Sequence, residues 1–200
     1  VALTTDTLRI GINKITDQVD PMGAHLNELD GRLGDGDLGV TMVNGFKNIA
    51  AVSDDLPDDF GMACMDCAKA MTKVSGSSFG TLMGISLMAV AKQTKGQTEI
   101  EWDRLPDLLQ AALDAMIARG GASIGDKTML DSLTAVIAAT TGKTSAQDAL
   151  AAAAEAADGA LIEFFDQPCK IGRARIFGDK TKGMDDPGMV AIKSMIDCFT

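Results

Sequence analysis

Helical periodicity runs through almost the whole chain, and no other feature constrains the fold so strongly. Leu8, Ile12, Ile15 and Val19 recur at helical spacing, and Pro21 is expected to weaken or end that first element. The segment "HLNELDGRL" that follows also reads as helix. Further helical runs are predicted over Thr41–Val52, Met62–Val74, Leu82–Lys92, Leu105–Ala118, Thr128–Ala139, Ala146–Phe165 and Asp186–Phe199. With the first element that makes about eight helices, joined by short glycine-containing loops. Short connections favour antiparallel neighbours, so the expected fold class is all-α: a closed up-and-down barrel or bundle. Composition agrees, because Ala, Met and Leu are abundant while Phe and Trp are few and Tyr is absent. No polar or Pro-rich linker divides the 200 residues, which read as a single domain, 1–200.

Charge excludes two classes of partner. A net charge of −10 with no compensating Lys/Arg cluster repels nucleic acid and anionic membrane surfaces. No signal peptide opens the chain and no run of about 18 apolar residues occurs. The expectation is a soluble, cytoplasmic protein. Cys64 and Cys67 form a C-x-x-C within an amphipathic helical pattern, and no second pair completes a zinc site, so they read as packed thiols. Cys169 and Cys198 are isolated.

The stretch "LDGRLGDGDLGVTMVNGF" (29–46) contains the G-x-G-x-x-G spacing of Gly34, Gly36 and Gly39. A dinucleotide fingerprint needs a strand before it, and here a helical pattern precedes it. The aspartates point elsewhere. Asp35 and Asp37 flank Gly36, and Asp30 lies a little over one helical turn upstream, so three carboxylates can converge. A hard cation would relieve their repulsion, and Mg²⁺ is commonly held by a few carboxylates with phosphate oxygens and waters. An EF-hand is excluded, since counting from Asp35 the fifth and twelfth positions are Gly39 and Phe46. The alternative, that Asp30 and Asp35 only cap helices, stays open on these residues alone.

Three further stretches bear on phosphate chemistry. "VSGSSFG" (74–80) is a small-residue loop before a helix, suited either to gripping phosphate oxygens or to simple capping. "GDKTMLDSL" (125–133) and "GDKTKGMDDPG" (178–188) repeat a G-D-K-T tetrapeptide at two helix approaches, with Pro187 near the first turn of the last helix. "TGKT" (141–144) lacks the upstream glycine of a Walker A motif, because Ile137 stands there, and reads as a helix end and turn.

Taken together, "LDGRLGDGDLGVTMVNGF", "GSSFGTLMG", "RGGASIGDKTMLDSL" and "GRARIFGDKTKGMDDPG" resemble the successive signature motifs of the nucleotide-binding L subunit of dihydroxyacetone kinase. The resemblance spans nearly the whole chain. It implies an eight-helix barrel that binds ATP or ADP at one end, with two Mg²⁺ ions between the acidic loop and the phosphates. By that resemblance Asp30, Asp35 and Asp37 are metal ligands, and Gly39 and Thr41 lie beside the nucleotide. Ser77 and Ser78 cover the phosphates, while Gly120, Met129, Arg173, Asp186, Pro187 and Gly188 line the adenosine.

The sequence departs from the family pattern at Leu38, where His is common, at Ala135, where Pro is common, and at Arg175, Ile176, Asp179, Lys180, Thr181 and Met184 in the last motif. The loop "GSSFGTLMG" is one residue longer than usual. The chain has one histidine, His25, and no plausible nucleophile–base pair. In the family a separate K subunit holds the ketose, and the implied partners are that subunit and a phosphotransferase-system phosphoryl donor protein. The other reading is a nucleotide-sensing adaptor that keeps the site without turnover.

Overall fold

In the computed structural model, residues 2–73 and 77–200 are described. They form eight α-helices: α1 (Thr5–Leu33), α2 (Leu38–Ala50), α3 (Phe60–Thr72), α4 (Ser78–Thr94), α5 (Leu105–Gly120), α6 (Met129–Thr140), α7 (Ala146–Phe164) and α8 (Pro187–Asp197). Short 3₁₀ segments lie at Ser53–Asp55, Trp102–Arg104 and Arg173–Thr181. The one β-type pairing among the described residues is an isolated bridge between Leu3 and Ile100.

Local chemistry sets where the helices begin. Thr4 and Thr7 cap α1 reciprocally, and Asp59 accepts the Met62 N–H ahead of α3. Thr128 and Asp131 form a capping box on α6, and Ser145 takes the Asp148 N–H of α7. Asp186 caps α8, where Pro187 occupies a first-turn position whose N–H is not needed. The turn "TGKT" does end α6 and precede α7.

One expectation is corrected. Pro21 does not end the first helix, which continues as α1 to Leu33. Proline in a helix interior costs about 3 kcal/mol through a lost N–H and a clash with the carbonyl four residues back, that of Asp17. Pro21 and Asp17 are both exposed, whereas Val19, Met22 and Leu26 are buried in the core. Burial of about 1.5–3 kcal/mol for each such side chain outweighs the proline penalty.

Each helix packs on the next in sequence, and α8 closes the ring against α1. The main apolar cluster draws buried residues from α1 to α6 and α8, among them Leu26, Met42, Met71, Leu113, Leu130 and Met195, and Leu161 of α7 packs against it. At the α1–α2 crossing a Cβ on Gly39 would strike the Gly23 carbonyl and the Asn27 side chain, so only glycine permits this approach. No helix among the described residues is long and apolar enough to cross a membrane.

Alternation of direction has a functional consequence. The starts of α2, α4, α6 and α8 and the ends of α1 and α5 all gather at one end of the barrel, where they line a single cleft. Four helix N-termini therefore face one space, each carrying a partial positive charge of roughly half an elementary charge.

Candidate functional site: an acidic loop and four helix N-termini around one cleft

The cleft has a volume of about 1120 Å³, just above the roughly 300–1,000 Å³ typical of small-molecule sites. Its acidic rim is built by the turn between α1 and α2. Gly36 takes φ +75°, a conformation that L side chains rarely adopt, and so turns the chain back after α1. Asp30, in the last turn of α1, reaches across: its Oδ2 accepts the N–H groups of Asp37 (3.0 Å) and Leu38 (3.2 Å), which open α2. The capping role left open for Asp30 is thus real, and it fixes the loop without consuming the other carboxylate oxygen. Asp37 occupies the N-cap position of α2 yet makes no side-chain capping bond. Asp35 pairs instead with Arg173, Nη2 to Oδ2, at 2.7 Å.

Asp30, Asp35 and Asp37 each offer an oxygen within 4.8 Å of the others. Burial raises the pKa of Asp37, the neighbouring Asp35 and Asp30 raise it further, and Arg173 lowers it. Three hard oxygen donors with mutual repulsion to relieve fit a Mg²⁺ ion, which favours carboxylates and phosphate oxygens.

Opposite the acids stands the start of α4. Ser77 caps this helix, its Oγ accepting the Gly80 N–H at 3.2 Å and the Thr41 hydroxyl at 2.8 Å. Ser77 and Ser78 both line the cleft. Val74, Ser75 and Gly76, the first half of the predicted phosphate loop, lie outside the described residues. The far wall brings together Gly120, Met129, Arg173, Asp186, Pro187 and Gly188. Burial pushes the Asp186 carboxyl up to about 6, against the N–H groups of Met189 and Gly188 and the Lys127 charge, which pull it down.

Two of the expected residues, Gly39 and Thr41, do not line the cleft surface. Gly39 is buried between α1 and α2 and does not line the cleft; its contribution is the close approach that sets the acidic loop. Thr41 also stands behind the surface and reaches the site through Ser77.

Two residues escaped the sequence reading. Arg119, in the last turn of α5, lines the cleft beside Gly120 and adds a cation to its wall. Its signal was its position before the Gly-Gly that ends α5. Lys127 is 1% exposed, with its ammonium donating to the carbonyls of Phe165, Gln167 and Thr181 at 3.0, 2.8 and 3.2 Å. Nothing in the tetrapeptide announces that burial.

The remaining reactive groups stand apart. Burial drives the Cys64 and Cys67 thiols up to about 12, so neither is a ready nucleophile or metal ligand. His25 is exposed on α1 and does not line the cleft.

Fold and site together define an all-helical barrel with an anion-receiving end and a carboxylate triad suited to a divalent cation. Residues 32–200 match the DAK2 domain, and the chain belongs to that family. It is 32% identical over 190 residues to the PTS-dependent dihydroxyacetone kinase, ADP-binding subunit DhaL, of Lactococcus lactis, spanning 93% of this chain and 91% of that one. The corresponding PEP-dependent subunit of Escherichia coli is 27% identical over 177 residues, 86% and 84% of the two chains. An L-erythrulose 1-kinase of Mycolicibacterium smegmatis is 31% identical over 183 residues, which is 31% of that longer protein. The fold resembles the crystal structure of dihydroxyacetone kinase from C. freundii in complex with AMP-PNP and Mg²⁺, with TM-score 0.73 and 25% identity. That match covers 99% of this chain, which spans about a third (34%) of the kinase.

Proposed function

We propose that this chain is the nucleotide-binding subunit of a dihydroxyacetone-type kinase, holding ADP or ATP with Mg²⁺ and delivering a phosphoryl group to a small ketone on a separate K subunit. One observation carries the reading: the Asp30, Asp35 and Asp37 carboxylates, at the start of α2, share a single cleft with the N-termini of α4, α6 and α8. Phosphoryl transfer asks little covalent chemistry of a protein, chiefly positioning and neutralisation of charge on the moving group. Asp30, Asp35 and Asp37 hold the metal, with two ions as the working stoichiometry. Ser77, Ser78 and the α4 amides take phosphate oxygens, and Arg119 adds positive charge. Gly120, Met129, Asp186, Pro187 and Gly188 enclose the adenosine, Arg173 reaches from that wall of the cleft to the acidic loop, and Gly39 and Thr41 support the loops from behind. The names of the Lactococcus and Escherichia relatives support the nucleotide and the kinase assignment.

The aspartates that line the cleft are assigned to the metal or, for Asp186, to the cap of α8, and no His, Cys or Lys lines it among the described residues, so the ketone and the base for its hydroxyl are assigned to the partner. A phosphotransferase-system protein is the proposed phosphoryl donor to bound ADP. The four unpaired cysteines suit the reducing cytoplasm. We treat 1–200 as one folding unit, supported by a core to which every helix contributes.

The test is titration calorimetry with ADP. Wild-type chain should bind ADP only with Mg²⁺, and Asp35→Ala should lose that binding. Retained affinity in the variant, or affinity indifferent to Mg²⁺, overturns the site. The purified chain alone should not turn over dihydroxyacetone with ATP, and activity should appear with a ketose-binding subunit. Tight Mg·ADP binding without activity in the mixture favours the adaptor reading.

A further inference from the structure

Arg173 belongs to both halves of the cleft. Its backbone begins the 3₁₀ segment Arg173–Thr181, and Gly172 to Phe177 line the cleft wall. Its guanidinium crosses to the acidic loop and meets Asp35 at 2.7 Å. The main chain beside it is anchored, because Ala174 is buried against Leu33 of α1 together with Cys169 and Met184. The Arg173 side chain itself is 69% exposed and that of Asp35 is 33% exposed. An ion pair so open to water is weak and exchanges readily. The long side chain can therefore turn without moving the segment that carries it.

A divalent cation held by Asp30, Asp35 and Asp37 needs the carboxylate that Arg173 contacts, and the guanidinium charge opposes the cation at short range. A nucleotide changes the sign of that effect, since its phosphates offer the guanidinium a stronger bidentate partner in the same cleft. We propose that Arg173 is an exchangeable counter-charge: it pairs with Asp35 until the metal takes that carboxylate, then turns to the phosphates, so that metal and nucleotide bind best together. The inference rests on the metal and nucleotide sites assigned under the proposed function. It makes Arg173 a nucleotide-contacting residue whose loss affects metal alone and metal–nucleotide in opposite directions.

Binding of Mn²⁺ alone by the full chain, followed by electron paramagnetic resonance, and calorimetric binding of Mg·ADP test it. R173Q should bind Mn²⁺ roughly 3- to 10-fold more tightly than wild type, the factor that a like charge ~5 Å away exerts through water. The same variant should bind Mg·ADP roughly 3- to 10-fold more weakly. R173K, which keeps the charge, should stay within about twofold of wild type for Mn²⁺, and all three proteins should melt alike because the residue is exposed. If wild type binds Mn²⁺ and R173Q binds it no more tightly, the exchange is overturned while the metal site stands. Tighter binding of both ligands by R173Q also overturns it, since the residue would then only repel. If wild type binds neither Mn²⁺ nor Mg·ADP, the site assignment fails and the exchange fails with it.

Discussion

The tetrapeptide Gly-Asp-Lys-Thr occurs twice, at 125–128 and 178–181, and the fold uses the two copies in opposite ways. In the first, Lys127 is buried at φ +63° and its ammonium holds three backbone carbonyls, while Thr128 caps α6. In the second, Lys180 is exposed and Thr181 is the buried residue, its hydroxyl donating to the Gly178 carbonyl at 2.7 Å and accepting the Cys169 N–H at 2.8 Å. The copies even meet, since one of the carbonyls that Lys127 holds belongs to Thr181. Identical residues take different roles because a lysine is tolerated in the interior only where acceptors converge on it. That convergence comes from the end of α7 and the 3₁₀ segment, 38 to 54 residues away in sequence.

The strongest way to break the comparison is at the lysines. Lys127→Met keeps most of the volume but removes the ammonium from the Gln167 and Thr181 carbonyls, at a cost of about 1–2 kcal/mol each, and leaves the Phe165 carbonyl with the Gly183 N–H alone. A loss of about 3–4 kcal/mol in denaturant unfolding is expected, while Lys180→Met should stay within about 0.5 kcal/mol of wild type. Equal effects would mean that the two copies do the same work.

How far the site could be read from sequence follows the same line. The acidic loop was legible because Asp30, Asp35, Gly36 and Asp37 are close in sequence, so their convergence needs only one turn. The helices were legible because caps and periodicity are local as well, as with Asp186-Pro187 ahead of α8. Continuity through Pro21 was not, because it depends on tertiary burial of Val19, Met22 and Leu26. Gly39 was placed beside the nucleotide by likeness of motif, whereas its glycine character answers to the backbone of Gly23 on another helix. The tie at Lys127 and the Arg173–Asp35 pair both join segments distant in sequence, and no spacing rule shows them.

A second test sharpens the contrast through pH. Asp186 carries a pKa raised to about 6 from 3.8, chiefly by burial, and Lys127 acts to lower it. Between those values the folded chain keeps a proton that the unfolded chain releases, so stability falls as pH rises from about 4 to 6. Asp186→Asn retains an oxygen for the Met189 N–H and removes the ionisation. It should gain at most about 3 kcal/mol over wild type at pH 7, at roughly 1.4 kcal/mol per pKa unit, and the gain should vanish below about pH 4. Melting curves at pH 4, 5.5 and 7 check this. With Asp186 retained, Lys127→Met alone should move the Asp186 transition to higher pH, whereas Lys180→Met alone should leave it in place.

The smallest expected difference lies between the threonines. Thr181→Val removes the acceptor of the Cys169 N–H in a buried setting, where an unsatisfied donor costs about 1–3 kcal/mol. Thr128→Ala removes a helix cap, whose loss costs about 1 kcal/mol, and Asp131 still accepts the Thr128 N–H and so tempers the damage. Thr181→Val should therefore lower stability by about 2 kcal/mol and Thr128→Ala by about half of that. Hydrogen exchange separates the causes: in Thr181→Val protection should fall at the Cys169 amide, and in Thr128→Ala at the Leu130 amide and the first turn of α6. Loss at both places in either variant would show that the two copies form one cooperative unit through the Lys127–Thr181 contact, and the division of labour drawn from their burial would have to be given up.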